Sequence, residues 1–276
     1  MTRAGTVAIV GLGLMGGSLV RDLTAQGARV LGHDAEPGRA QQARSESMID
    51  AVLDDSFAGV RDAELVVIAT PVDAALGILQ RLVPVLPPDA TVTDVGSTKA
   101  EIVAHATRLG LGTRFVGSHP MAGTHQSGWE ASRAGLYQGA PVHLCPTATS
   151  SPEALARVER LWRDVGAVCG VMDATEHDEL LAWVSHLPQV ASSALAAALA
   201  DAGRQPGQLG PGGRDVTRLA ASSPEMWSAI CLSNDVAIGV AVRALVARLT
   251  EFDDALVRKD VVALRSFFAT GRSWLS

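Results

Sequence analysis

Short β-branched runs and amphipathic helical stretches alternate along the chain as far as Met172. The runs TVAIV (6–10), RVLGH (29–33), ELVVIAT (64–70), ATVTDV (90–95), RFVGS (114–118), PVHLC (141–145) and AVCGVM (167–172) read as strands. Helical segments between most of them predict a mostly parallel sheet covered on both faces. From Asp173 the rhythm changes. ATEHDELLAWVSHLPQVASSALAAALAD and NDVAIGVAVRALVARLTEFDDALVRKD repeat apolar residues at helical spacing, with no convincing strand between or after them. The expected fold is α/β: a Rossmann-type dinucleotide-binding domain over residues 1–172, then an all-helical domain over residues 173–276. Pro188 interrupts a helical pattern and frees the carbonyl of Val184, which predicts a kink beside His186. GRQPGQLGPGG (203–213) reads as a loop between helices.

Composition narrows the class. The 276 residues carry a net charge of −6, which offers no basic footprint for a nucleic-acid backbone. No apolar run is long enough to span a bilayer, and the start lacks the pattern of a cleaved signal, so a soluble cytoplasmic protein is expected. Cys145, Cys169 and Cys231 are scattered without CxxC spacing, which predicts neither a disulfide framework nor a metal site. They read as small hydrophobes in a reducing compartment.

The first chemical signal follows the first strand. In VAIVGLGLMGGSLV, Gly11, Gly13 and Gly16 have GxGxxG spacing between a strand and a helix that Leu14 and Met15 open. Gly11 permits a tight turn, Gly13 lets backbone approach a pyrophosphate, and Gly16 allows close helix-strand packing. Asp34, at the end of the second strand, is placed to accept hydrogen bonds from an adenosine ribose. A carboxylate there repels a 2′-phosphate, so NAD is favoured over NADP, although Arg39 lies close enough in sequence to swing in. The plainer reading is a glycine-rich turn beside a surface aspartate.

Ligands of open α/β sheets meet the C-terminal ends of the strands. Thr70 and Pro71 follow one strand, Ser97 in DVGSTK another, and His119 in GSHPMAG a third. A histidine there can take a hydroxyl proton while hydride leaves the same carbon. Alternatively it caps the loop. In the helical region His186 reads either as a ligand group or as a core histidine satisfied by freed backbone. Arg214 and Arg218 share one face if a helix begins near Asp215, where guanidinium groups suit carboxylates. The plainer account is a solvated turn with an Asp215 to Arg218 pair.

The segments GLGLMGGSL, TDVGSTK, GSHPMAGT, HDELLAWVSHLPQ and GGRDVTRLAASSPEMW occur in one order. In that order and spacing the chain resembles the prephenate dehydrogenase (cyclohexadienyl dehydrogenase) family, from about Val7 to the last helix. The resemblance implies NAD(P)-dependent oxidative decarboxylation of a cyclohexadienyl dicarboxylate in tyrosine biosynthesis, and a helical dimerisation domain. It makes His119 the catalytic base and Ser97 the group that hydrogen-bonds the same hydroxyl and the histidine. It makes His186 and Arg218 substrate-binding residues, Arg218 holding a carboxylate, and it lets Arg214 reach an active site across a dimer.

His125 stands where many members carry glutamate, near the substrate's side chain. That departure favours prephenate over arogenate and leaves 4-amino-4-deoxyprephenate open. The short C-terminal end leaves no room for an appended regulatory domain. A β-hydroxyacid dehydrogenase would need a lysine on a second-domain helix, and Lys99 and Lys259 lie in no matching motif. A non-enzymatic NAD-binding sensor or scaffold is the alternative from another class. In segment 234–257, Val236, Ile238, Val240, Val242, Leu245, Val246, Leu249 and Phe252 give more apolar surface than one small helical domain covers, which predicts a homodimer.

Overall fold

A computed structural model describes residues 5–123 and 126–275, and its contacts divide into two compact units. The first runs to Leu180 and takes in Ala221–Ser233; the second comprises Leu181–Ala220 and the chain from Asn234. The contacts thus divide inside the helical stretch rather than at the change of rhythm near Asp173.

The first unit is built on an eight-stranded sheet. Its strands are β1 (Thr6–Val10), β2 (Arg29–His33), β3 (Ala51–Val52), β4 (Leu65–Ile68), β5 (Thr91–Asp94), β6 (Phe115–Pro120), β7 (Pro141–Pro146) and β8 (Val168–Val171). They lie in the order β3-β2-β1-β4-β5-β6-β7-β8, and all neighbours are parallel except β6 and β7. Helices α1 (Leu14–Ala25), α2 (Pro37–Ser45), α3 (Val72–Leu82), α4 (Ala100–Arg108) and α5 (Pro152–Asp164) fill the connections. Two further helices, α6 (Ala174–Leu181) and α9 (Pro224–Ser233), fall in or at the edge of this unit.

Strand periodicity divides the core in two. Val7 and Ile9 face one cluster with Val30, Val67, Val116 and Trp162, whereas Ala8 and Val10 face another with Leu31, Val66, Ile68 and Phe115. Successive side chains of a strand point to opposite faces, so a sheet covered on both sides needs apolar residues at every position. The seven expected strands all form. β3 was not legible, because two residues pairing with Leu31 and Gly32 leave no periodic trace. The antiparallel β6–β7 pair follows from a connection whose described residues form no helix.

The second unit is helical, with α7 (Leu187–Asp201), α8 (Pro211–Thr217), α10 (Asp235–Val257) and α11 (Val261–Trp274). Pro188 is the second residue of α7, and because His186 before it is itself helical, the missing N–H falls within continuous helical backbone. The chain enters α7 through a π-helical turn, Ala182–His186, which is the form the expected irregularity beside His186 takes. Phe252 on α10 packs against Phe267 and Phe268 on α11, with ring centroids 4.9 and 5.9 Å away. Much of the apolar surface of α10 remains uncovered: Val236 is 76% exposed, Val240 50% and Leu249 55%. Among the described residues no single helix is long and apolar enough to cross a membrane.

One ion pair lies inside the sheet unit. Lys99 is wholly buried and its ammonium pairs with the equally buried Asp94, whose carboxylate also accepts from the backbone N–H of Gly96 (2.8 Å) and of Ser118 (3.2 Å). Removing one partner of a buried pair leaves an uncompensated charge, a loss of about 3–5 kcal/mol. Lys99→Met should therefore lower the unfolding free energy from urea denaturation by about 3–5 kcal/mol, and a loss under about 1 kcal/mol would show the pair to be dispensable.

Candidate active site

The glycine-rich turn sits where β1 hands over to α1. Gly11 has φ +97°, and a Cβ there would strike the carbonyl of Ala69. A Cβ on Gly16 would strike the carbonyl of Gly11, so α1 approaches the strand closely. Gly13, the N-cap of α1, faces open space within 4 Å. No side chain caps α1, and its first turn, which Leu14 and Met15 open, holds no acidic residue. Such a helix start has N–H groups and a positive dipole end suited to a phosphate.

Asp34 lies just past β2, its side chain 6% exposed. Its Oδ2 accepts from the N–H of Leu12 (2.7 Å), and its Oδ1 accepts from Glu36 N–H and from Arg39, each at 2.9 Å. Arg39 is further tied to Glu36 at 2.7 Å, so it stands paired with acids. Thr70 and Pro71 follow β4, beside β1 in the sheet, and Pro71 is the N-cap of α3. Glycine turn, acid and strand-end residues fit a dinucleotide.

His119 occupies the last turnings of β6, opposite His143 on β7, and is 8% exposed. Its Nδ1 lies 2.8 Å from Nε2 of His177, which is fully buried on α6. Nδ1 of His177 lies 2.8 Å from Oδ1 of Asp178. The Asp178 carboxylate accepts from the N–H of Lys99 and of Ala100, each at 2.8 Å, at the start of α4. Lys99 itself gives α4 no side-chain cap. Ser97 is half-buried in the β5–α4 connection and forms no hydrogen bond among the described residues. The partner found for Nδ1 of His119 is therefore His177 rather than Ser97.

In the second unit His186 closes the π turn and is 1% exposed, with Nδ1 3.3 Å from Asn234 Nδ2. Gln189, one turn later, donates to the carbonyl of Leu219 (2.7 Å). The helix carrying Arg214 begins at Pro211 rather than near Asp215, and it tightens into a 3-10 turn at Arg218. Arg214 and Arg218 still stand four positions apart on continuous helical backbone, so they share one side of it. Both are exposed; Arg214 donates to the carbonyl of Leu209 (3.0 Å), and the Asp215 to Arg218 pair of the plainer account is absent among the described residues. His125 lies outside the described residues.

Sequence reasoning missed His177 and Asp178, although both lie in a segment singled out for its later histidine. It also missed how the chain after Gln126 is fastened to α1. Tyr137 donates its hydroxyl to the carbonyl of Met15 (2.6 Å), and Ser18 Oγ accepts from Arg133 N–H (3.0 Å). Burial pushes the Tyr137 phenol up, so it stays a donor. Trp129 donates to Glu46 (3.1 Å) under the Arg21 guanidinium, 4.4 Å from the ring centroid. Burial pushes the Cys145 thiol up to about 12, which leaves it inert as a nucleophile.

A glycine-lined helix start suited to a phosphate and a buried histidine at the same edge of a doubly wound sheet fit a dinucleotide-dependent oxidoreductase. The family model "Prephenate dehydrogenase, nucleotide-binding domain" matches residues 19–171, and "Prephenate dehydrogenase, dimerization domain" matches residues 173–270. The chain belongs to the prephenate dehydrogenase family. A prephenate dehydrogenase of Bacillus subtilis is 32% identical, over 98% of this chain and 75% of the relative. A cyclohexadienyl dehydrogenase of Zymomonas mobilis is 33% identical, over 92% and 89%. The crystal structure of Aquifex aeolicus prephenate dehydrogenase with hydroxyphenyl propionate and NAD+ superposes with a TM-score of 0.89 at 33% identity, covering 97% and 96%.

The histidine cluster also predicts a pH effect. Burial, then the neighbouring His177, lowers the pKa of His143. Below about pH 6.5 the unfolded chain binds a proton at this residue that the folded chain refuses, so stability falls as pH falls through that value. His143→Gln should lose less stability than the parent between about pH 7 and 5, followed by denaturant unfolding. An equal loss in both would remove His143 from the acid response.

Proposed function

We propose that this protein is an NAD-dependent prephenate dehydrogenase, which oxidatively decarboxylates prephenate to 4-hydroxyphenylpyruvate as a homodimer formed through its helical unit. Family membership over both parts of the chain carries the reading. The uncapped start of α1, with Gly11, Gly13, Leu14, Met15 and Gly16, holds the pyrophosphate. Asp34 takes the adenosine ribose, and its carboxylate disfavours a 2′-phosphate. Thr70 and Pro71 border the cofactor at the strand end. Bound NAD+ supplies the hydride acceptor.

His119 accepts the proton of the ring hydroxyl as hydride leaves the same carbon, and Ser97 hydrogen-bonds that hydroxyl. The bond to the ring carboxylate then breaks, and its electron pair enters the ring as carbon dioxide leaves. The new phenol oxygen takes back the proton that His119 held, so the base ends unchanged. His186 and Arg218 bind the substrate, Arg218 through a carboxylate; among the described residues Arg218 is in no ion pair. Arg214 reaches an active site across the dimer, His125 lies near the substrate's side chain, and a histidine at 125 suits a keto acid better than an ammonium group. The uncovered apolar face of α10 and the "dimerization domain" match support the homodimer.

Mixing the protein with NAD and prephenate should produce reduced nicotinamide and carbon dioxide. Absence of both with prephenate, arogenate and 4-amino-4-deoxyprephenate alike would overturn the reading. His119→Asn should lower kcat by roughly 10²–10⁴-fold with KM nearly unchanged. Arg218→Gln should instead raise the KM for prephenate at least about tenfold, the loss of one charge-assisted contact. Initial-rate kinetics separate the two.

A further inference from the structure

The base of this reaction needs its lone pair on a known ring nitrogen, and the residues behind it determine which. Asp178 accepts two backbone N–H groups at the start of α4, at 2.8 Å each, and a backbone amide can only donate. The same helix terminus favours a carboxylate there through its dipole. An acceptor at Oδ1 requires the proton of His177 to sit on Nδ1, 2.8 Å away. A neutral His177 so protonated presents a lone pair at Nε2. That lone pair lies 2.8 Å from Nδ1 of His119, which must then carry its proton on Nδ1.

We propose that His177 and Asp178 are positioning residues that hold His119 as the Nδ1–H tautomer, leaving Nε2 as the atom that takes and returns the substrate proton. The proposal rests on the reading that His119 is the base. When Nε2 is protonated, His119 donates a charge-assisted hydrogen bond to His177, which passes the positive charge's interaction on to the Asp178 carboxylate. No proton leaves His119 through the relay. Among the described residues, the ionisable groups around the cluster include His143 on β7, whose ring lies 6.4 Å from that of His119 and 5.5 Å from that of His177, and the Asp94–Lys99 pair, which is closed on itself. His143 is held toward its neutral form by burial and by His177, so it adds no competing cation.

Two variants and one spectrum test this in the full chain with NAD. Asp178→Asn removes the anion at the end of the relay while keeping the side chain's size and shape. His177→Phe keeps the ring volume and leaves Asp178 on α4 while removing the link. Each should lower kcat on the order of a hundredfold with KM for prephenate within about twofold. The acid limb of the kcat profile should move to lower pH, because the imidazolium has lost its anion. Long-range ¹H–¹⁵N spectra of histidine-labelled protein should show His119 as Nδ1–H in the parent, with that preference lost in His177→Phe. Near-parental kcat with an unmoved acid limb in folded His177→Phe overturns the proposal. So does an Nε2–H His119, or a doubly protonated His177, in the parent. The spectrum of the parent needs no turnover, so a failure of the relay and a failure of the proposed reaction are told apart.

Discussion

Each helix that starts at the C-terminal edge of the sheet brings backbone N–H groups with no partner inside the helix, and how they are satisfied decides what that edge can do. At α1 the solution is glycine: a cap without a side chain, a first turn without acid, and open space beside Gly13. At α4 the solution is a carboxylate from far along the chain, Asp178, which takes the amides of Lys99 and Ala100. On the proposed reading the first terminus takes the cofactor's pyrophosphate. The other is closed by the protein's own carboxylate, and that closure fixes the ring that meets His119. The Asp94–Lys99 pair holds the same turn from inside, since Asp94 also takes the amides of Gly96 and Ser118.

What was legible in the sequence follows from range. Gly11, Gly13 and Gly16 act within one turn and Asp34 reaches back to Leu12, so their spacing carries the signal. Alternating runs and intervening helices gave the strands, and the strand-end rule picked out His119 and Ser97. The relay could not be read this way. His119 and His177 stand 58 positions apart, and Asp178 and Lys99 79 apart, so only the folded sheet brings them together. A histidine next to an aspartate in a helical segment looks like any solvated pair until burial is known.

The helical region shows the same limit from another side. Pro188 correctly marked an irregularity, but not that the chain would widen into a π turn and bury His186 against Asn234. The arginine pair was placed on a helix beginning near Asp215, whereas Pro211, an effective first-turn residue, starts it earlier, and the backbone passes into a 3-10 turn at Arg218. Arg218 stands exposed and outside any ion pair among the described residues.

The proposed reaction adds a reason for a relay rather than a simple base. Because aromatisation returns the proton to the new phenol, His119 must be a good acceptor at one moment and a good donor the next. A carboxylate bonded directly to the histidine would stabilise the imidazolium strongly and slow the return. A neutral imidazole between them, His177, transmits less of that stabilisation while still fixing the tautomer. Burial serves the same end: at the 8% exposure of His119 water competes poorly for the proton, so it stays available to the oxygen it came from. Orientation by a fully satisfied buried chain is then worth more to this chemistry than a large shift in basicity.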